Sequence, residues 1–414
     1  MAGSIDLVRR NLSTFRPQVV PKEADALRIG LLGAANISPL GIIIPAKSHP
    51  GVIIAAVAAR DQKRAEVFAK THDIPNVSPS YQALIDDPSI DAIYNPLPNG
   101  LHYEWTQKAL AAGKHVLLEK PSTSNAAEAA SLFRIPSSSA QGRPAPVLLE
   151  AVHIRFHPAW QKYLSLIDPA NIEKAHSTHH LPKGVFSNDD IRFQYDLAGG
   201  CLMDFGSYNI QCLRQVFGAE PEECLRAEPR SAPHDEKIDQ AFSAAWRFPN
   251  GGIGSIESDL MFSGGWPFPW LTSKLPGLRS PSCSVTHREA PVVDEELPKD
   301  VAHTVVKTVT VWNMTFPSVW HRIDVVLDHT LKTVSTGQVT KTWTEKSYIK
   351  EYAGKVGDAS WSTYRHQLEE FVNKVRGRDG SGVWIEAEDS IKQMEVIDGA
   401  YRKAGLPPRP SRTL

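Results

Sequence analysis

Between residues 28 and 152, short apolar runs alternate with segments of helical spacing. Residues 28–32 (RIGLL), 52–58, 91–95, 115–118 and 147–152 are four to seven residues long and mostly apolar at consecutive positions. Strands buried on both faces of a parallel sheet need that pattern. Between them, Ala65, Phe68, Ala69 and His72 share one helix face. A second helix turns Leu101, Trp105, Ala109 and Ala112 inward, with Asn99 as its cap and Gly113 as its stop, and a third spans roughly Asn125–Arg134. This alternation predicts a doubly wound parallel sheet through about residue 150.

Beyond residue 150 the periods change. Residues 241–248 and 253–262 alternate as strands around Pro249-Asn250-Gly251-Gly252, a hairpin turn. Residues 304–312 and 339–348 also alternate. A helix from about Trp361 buries Tyr364, Leu368, Phe371 and Val375; another carries Ile391, Met394, Ile397 and Tyr401 before Gly405 and Pro407 end it. The predicted fold class is therefore α/β: an N-terminal Rossmann doubly wound parallel sheet plus a C-terminal α+β domain with an open, mostly antiparallel sheet. The division is an arm over 1–27, a nucleotide-binding domain over 28–150, a second domain over 151–404 and a loose tail over 405–414. Residues 137–142 read as a surface loop.

Composition narrows the classes. A chain of 414 residues exceeds one ordinary core. Its 45 basic and 46 acidic residues nearly cancel and form no long basic run, which argues against nucleic acid and anionic membrane as partners. The four cysteines are sparse and lack CxxC spacing, as expected of reduced thiols. No apolar run approaches the ~20 residues of a membrane span. Arg9, Arg10 and Arg16 leave two readings of the first residues, a mitochondrial presequence or an arm packed on the next domain. The second reading, with the cysteine usage, gives a cytoplasmic protein.

Candidate chemistry lies at strand ends, where open α/β sheets bind ligands. After the first strand, Gly33-Ala34-Ala35-Asn36-Ile37-Ser38-Pro39 makes a small-residue turn, with Ser38 as N-cap and Pro39 at the first helical position. Backbone N–H groups and the helix dipole there suit a phosphate. Against G-x-G-x-x-G the chain offers Gly33, Ala35 and Ser38, a degenerate match. After the second strand, Arg60 stands where an NAD-binding fold usually carries an acid. Either its guanidinium takes the 2′-phosphate of NADP, or it faces solvent while Asp61 caps the following helix. Asn95-Pro96-Leu97-Pro98-Asn99 is a rigid loop at the third strand's end. The next strand stops at Glu119-Lys120-Pro121, because Pro121 removes a donor and forces Lys120 to be extended.

Farther on, Gly199-Gly200 permits a tight backbone entry to a helix on which Asp204 and Tyr208, four apart, share a face. Tyr208 could exchange a proton with a substrate hydroxyl if Lys120 lowers its pKa from ~10; the alternative is a packed ring with Asp204 as cap. His176, His179 and His180 lie on a strand where only 176 and 180 share a face, with no acid or thiol ligand near, which argues against metal.

In order, Gly33-Ala34-Ala35, Ala58-Ala59-Arg60-Asp61, Asn95-Pro96-Leu97-Pro98-Asn99, Glu119-Lys120-Pro121, Glu150-Ala151-Val152-His153-Ile154-Arg155-Phe156-His157-Pro158 and Gly199-Gly200…Asp204…Tyr208 resemble the Gfo/Idh/MocA oxidoreductases. The resemblance runs from about residue 28 to the last helix. It implies Lys120 as the catalytic lysine beside nicotinamide and substrate, and a C-terminal sheet used for oligomerisation, hence a homodimer or homotetramer. The family's D-x-G-x-H pattern has Tyr208 at its histidine. That resembles the branch of dimeric dihydrodiol dehydrogenases and NADP-dependent D-xylose dehydrogenases, where the tyrosine is the acid–base. Ala59-Arg60 resembles that branch too. Residues 263–320 are longer than the family needs and carry Trp266, Phe268, Trp270, Trp312, Phe316 and Trp320, as a lid or as interface and structural padding.

The expected protein is an NADP-dependent oxidoreductase (NAD being possible) that transfers hydride between nicotinamide and a sugar or cyclic polyol, such as D-xylose at its anomeric carbon. Cofactor binding is assigned to Gly33, Ala35, Asn36, Ile37, Arg60, Leu97, Asn99, His102, Glu119 and Lys120. Lys120, Tyr208 and Asp204 are the catalytic candidates, and Arg155 and His157, with Asp204 and Tyr208, the substrate contacts. The rivals are an epimerase or isomerase with bound cofactor, a natural-product oxidoreductase and a non-catalytic NADP sensor.

Overall fold

The computed structural model describes residues 2–135, 145–264 and 275–411. The expected loop at 137–142 and the aromatics Trp266, Phe268 and Trp270 lie outside them. The first sheet is formed by β1 (Leu27–Leu32), β2 (Val52–Ala58), β3 (Asn76–Val77), β4 (Ala92–Asn95), β5 (His115–Glu119) and β6 (Leu148–Ala151), all parallel, in the order β3-β2-β1-β4-β5-β6. The order reverses between β1 and β4, and the carboxyl ends there frame a crevice suited to a ligand. Around the sheet pack α2 (Ile44–Lys47), α3 (Gln62–His72), α4 (Tyr81–Asp86), α5 (His102–Ala111) and α6 (Ala126–Phe133). Side chains on successive strand positions, such as Leu31 and Leu32 or Val116, Leu117 and Leu118, are all buried, because helices cover both faces.

Two local expectations change. Pro39 does open a helical segment, but as a π-helical turn, Pro39–Ile43, and the buried Ser38 is itself helical with no capping bond. Asn99 begins a 3₁₀ turn rather than capping α5, and its amide donates to the Ala198 carbonyl at 3.0 Å. The N-terminal arm is a helix, α1 (Ala2–Phe15). Arg10 donates to the Ser318 carbonyl at 3.1 Å and stacks over Tyr352 at 3.5 Å, so the arm packs on the C-terminal half.

The second sheet is mixed and mostly antiparallel, with nine strands: β7 (Ile172–Pro182), β8 (Glu223–Ala232), β9 (Asp235–Arg247), β10 (Ile253–Phe262), β11 (Ser282–His287), β12 (Ala290–Pro291), β13 (Val301–Trp312), β14 (Arg322–Thr333) and β15 (Val339–Ile349). Only β7 and β10 run parallel. The predicted hairpin is β9–β10, closed by Phe248 N–H donating to Gly252. β11 and β13 are pairing strands of this sheet, and Trp312 Nε1 donates to Asp324 on β14 at 2.9 Å. That part of residues 263–320 is therefore sheet. Among the described residues, four further helices complete the fold: α7 (Pro158–Leu164), α8 (Ser207–Phe217), α9 (Thr363–Val375) and α10 (Ala387–Lys403). No helix among the described residues is long and apolar enough to cross a membrane.

The expected loose tail is corrected as far as residue 411. Arg409 is only 1% exposed; it donates to the carbonyls of Gly199 and Lys237 and pairs with Asp239, which also receives the Tyr401 hydroxyl at 3.0 Å. A guanidinium matches this cluster of oxygens because it presents donors in a planar fork. A side chain at Gly200, which has φ +130°, would collide with both Asp239 and Arg409, which accounts for glycine there. We expect Arg409→Ala to leave Asp239 buried without its cationic partner and to lower stability by about 3–5 kcal/mol in urea unfolding. A change below about 1 kcal/mol would mean that the tail does not brace the Gly199-Gly200 turn.

Candidate active site

The end of β5 brings a carboxyl and an ammonium, Glu119 and Lys120, to the crevice. Glu119 is buried and accepts the Tyr94 hydroxyl at 2.7 Å; burial, the largest influence, raises its pKa. The next residue, Lys120, precedes a cis bond to Pro121 and turns its ammonium toward the second half of the chain. There Nζ donates to Asp204 Oδ1 at 2.5 Å and to the Asp204 carbonyl at 3.2 Å, and it stands 4.5 Å from the centre of the Tyr208 ring. His102 braces this edge, its ring nitrogens lying 2.7 Å from the Leu97 carbonyl and 2.9 Å from that of Pro121. Burial pulls its pKa down to about 4, so a neutral ring donates to one of them.

Asp204 and Tyr208 enter from the other side. The glycines force the approach: a Cβ at Gly199 would strike the Arg192 carbonyl. Asp204 lies in a π-helical turn, Leu202–Gly206, and Tyr208 in the first turn of α8. Arg192 Nε donates to Asp204 Oδ2 at 2.6 Å, so one carboxylate holds two cations. Burial would raise the Asp204 pKa, but Lys120 and Arg192 outweigh it and hold the carboxyl well below its ordinary range.

Tyr208 departs from expectation. Lys120 does stand over its ring, yet the phenol pKa is pushed well above 10, chiefly by burial and then by Tyr364, Glu119 and Asp204. The ammonium is neutralised by its own carboxylate partner, and a ring only 5% exposed has little water to solvate a phenolate. The hydroxyl instead meets His153 Nε2 at 2.7 Å, and His153 Nδ1 meets Thr363 Oγ1 at 2.8 Å. Tyr364 lies against His153, with ring centres 4.0 Å apart, and His179 stacks on Phe205 at 3.8 Å with its ring centre 5.8 Å from Tyr208. Sequence reasoning gave no part in this site to His153, Arg192, His179, Thr363 or Tyr364. His153 stood inside a quoted motif, but nothing in its spacing points to a partner at Tyr208.

Neither Arg155 nor His157 bonds to Lys120, Asp204 or Tyr208 among the described residues. Arg155 pairs with Asp389 in the first turn of α10 and donates to the Trp384 carbonyl at 3.3 Å. His157 is fully buried and caps α7, accepting from Ala159 N–H at 3.1 Å. Both hold the 3₁₀ turn His153–Phe156 in place, a structural task. Glu150, at the end of β6, is fully buried and accepts the Ser122 N–H at 2.9 Å; burial raises its pKa to about 7.

The other crevice wall is the turn after β1. Gly33 has φ +87°, and a Cβ there would come within 3.1 Å of Leu97. The buried Ser38 hydroxyl has no partner, Asn36 is exposed, and Arg64 reaches across to the Ala34 carbonyl at 2.9 Å. Arg60 is exposed at the end of β2 and makes no ion pair among the described residues, while Asp61 caps α3 through Arg64 N–H at 3.1 Å. An orphaned hydroxyl, a small-residue turn and a free guanidinium fit a phosphorylated dinucleotide.

Comparisons with known proteins fall on the same regions. Residues 27–140 match the family described as "Oxidoreductase family, NAD-binding Rossmann fold", and residues 170–273 match the "GFO/IDH/MocA C-terminal domain". The chain is 34% identical over 238 residues to a D-xylose 1-dehydrogenase (NADP(+)) of Haloferax volcanii, covering 56% of this chain and 69% of that protein. It is 32% identical over 243 residues to a trans-1,2-dihydrobenzene-1,2-diol dehydrogenase of Mus musculus, covering 56% and 68%. Its fold is similar to a 3-ketoreductase from Actinomadura kijaniata in complex with TDP-benzene and NADP, with TM-score 0.66 and 20% identity over 92% of this chain and 98% of that one.

Glu150 carries a prediction of sign. Its folded pKa lies above the ordinary 4.5, so the stability tied to its neutral form is present below about pH 4.5 and is lost as pH rises through about 7. We expect Glu150→Gln to gain on the parent protein from pH 5 to pH 8, by on the order of 3 kcal/mol in urea unfolding. A stability difference flat across that range would show that Glu150 is not held neutral.

Proposed function

The chain belongs to the Gfo/Idh/MocA oxidoreductase family, and from that premise we propose that it is an NADP-dependent dehydrogenase acting on the CH–OH group of a sugar or cyclic polyol. The specific reaction we assign is oxidation of a pyranose such as D-xylose at its anomeric carbon, to the lactone. The observation that carries this is the meeting of Lys120, Asp204 and Tyr208 at the carboxyl end of β5, from chain segments 84 residues apart. A sensor that only binds a dinucleotide has no use for an ammonium and a phenol side by side.

The dinucleotide would lie along the turn Gly33–Ile37, with Arg60 toward its 2′-phosphate and Leu97, Asn99, His102 and Glu119 lining its path. When bound, its nicotinamide supplies the hydride acceptor. Lys120 orients the substrate hydroxyl, and Asp204 fixes Lys120 by holding Nζ with both a carboxylate and a carbonyl oxygen. Tyr208 takes the hydroxyl proton. Arg192 neutralises the second carboxylate oxygen and keeps Asp204 from accepting that proton instead. The NADP-using relatives and the absence of an acid at position 60 support the cofactor assignment.

The test is NADP reduction followed at the nicotinamide absorbance across pentoses, hexoses, inositols and trans-dihydrodiols. No reduction with any of them would sink the substrate class. With the best substrate, Lys120→Met is expected to lower kcat by about 10² to 10⁴-fold while NADP still binds; near-normal turnover would remove the role given to Lys120. Arg60→Ala is expected to weaken NADP by about ten- to a hundredfold and NAD little. Equal losses for both would end the argument from the 2′-phosphate.

A further inference from the structure

We propose that His153 and Thr363 form a proton relay that links the Tyr208 hydroxyl to solvent beneath the N-terminal arm. The inference rests on the proton-accepting role proposed for Tyr208, and it names the groups that empty that acceptor.

The geometry supplies each link. Tyr208 Oη lies 2.7 Å from His153 Nε2, and the far side of the same ring, Nδ1, lies 2.8 Å from Thr363 Oγ1. All three residues are at most 5% exposed, so no water shell competes for these bonds. Thr363 stands at the start of α9 and lines a cavity of about 30 Å³ with Thr14, Phe15, Ile44 and Tyr364. That volume admits about one water. Thr14, Ile44 and Ser362 also line a neighbouring cleft of about 310 Å³ between the arm and the body, so the two spaces adjoin. The path therefore runs from Tyr208 through His153 and Thr363 to the cleft beneath the arm.

The chemistry requires such a path. Substrate oxidation releases one proton from a closed site whose phenol resists ionisation, and Lys120 is already committed to Asp204. His153 equally resists becoming cationic: burial lowers its pKa, and Lys120 and His179 lower it further. Around the pair stand Lys120 from the end of β5, His179 from β7, Asp204 beside Tyr208, Tyr364 from α9 and Glu119 from β5. A concerted shift avoids both charged forms. The substrate O–H bond breaks as a new O–H bond forms at Tyr208. The old phenolic proton moves to His153 Nε2, the Nδ1 proton moves to Thr363 Oγ1, and the threonine's own proton leaves to water. Each group is neutral before and after, and one proton has crossed. The position of His153 follows from its turn: Arg155, two residues on, is clamped to Asp389 and fixes the ring's approach.

The experiment compares His153→Asn, Thr363→Val, Thr363→Ser and Tyr208→Phe with the parent enzyme, using the best substrate found above. Expected are a kcat lower by about 100-fold in His153→Asn and Thr363→Val, with KM and NADP binding little changed, a kcat–pH profile that becomes steeper, and near-parent turnover in Thr363→Ser. In His153→Ala, added imidazole should restore turnover. Independently of any substrate, ¹⁵N-histidine NMR of the protein should show His153 as the Nδ1–H tautomer, with Nε2 free to accept. Parent-like kcat and pH profile in His153→Asn overturn the relay. So do normal turnover in Thr363→Val, absence of imidazole rescue, or an Nε2–H tautomer, because His153 then only orients the phenol. Full activity in Tyr208→Phe is the distinguishable failure, since it removes the acid–base reading itself and not the link beyond it.

Discussion

The contact between Lys120 and Asp204 governs the arrangement of the whole crevice. It joins the carboxyl end of a parallel strand to a π-helical turn of the second half, with 2.5 Å between Nζ and Oδ1. Removing two charges from water is costly, and mutual attraction offsets it only with close geometry and further hydrogen bonds. Both conditions hold: the ammonium also reaches the Asp204 carbonyl, and the second carboxylate oxygen binds Arg192. The backbone is arranged to allow this. Gly199 and Gly200 let the chain pass against Arg192, Asp239 and Arg409, and Asn99 ties the loop after β4 to Ala198.

Burial then decides what the site can do. The low dielectric that strengthens the ion pair also penalises any unpaired charge. Glu119, Glu150, Tyr208 and His153 are all displaced toward their neutral forms, with burial as the first cause in each. Asp204 alone among the buried acids of the crevice goes the other way, because two cations touch it. A site with one carboxylate fixed between two cations, amid groups displaced toward their neutral forms, is suited to moving a proton along a chain without stabilising a lone charge. The supporting charges lie outside it: Arg155 and Arg214 meet at Asp389, in the first turn of α10, where the helix dipole favours a carboxylate.

Much of the fold was legible. Five of the six strands of the first sheet were readable, since apolar runs covered on both faces contrast sharply with the helices between them; the two-residue β3 is too short to carry a period. Half-buried strands carry weaker signals, and β8, β11 and β14 went unassigned. Along β14, for instance, almost every position is partly exposed, so no alternation appears. The arm's helix was also missed.

By itself the sequence determined the alternation, the family motifs, the strand-end positions of Gly33, Arg60 and Lys120 and the helical pairing of Asp204 with Tyr208, because these depend on local spacing and backbone chemistry. It could not say that Arg155 and His157 brace a turn while His153, between the same motif's ends, points at Tyr208. Nor could it say that Arg409 anchors the tail, or that Lys120 is neutralised before it reaches the phenol. Those facts depend on which residues face one another across tens or hundreds of positions, and on how little water remains between them. Only the closed tertiary structure sets those two quantities, and they decide which groups here are charged.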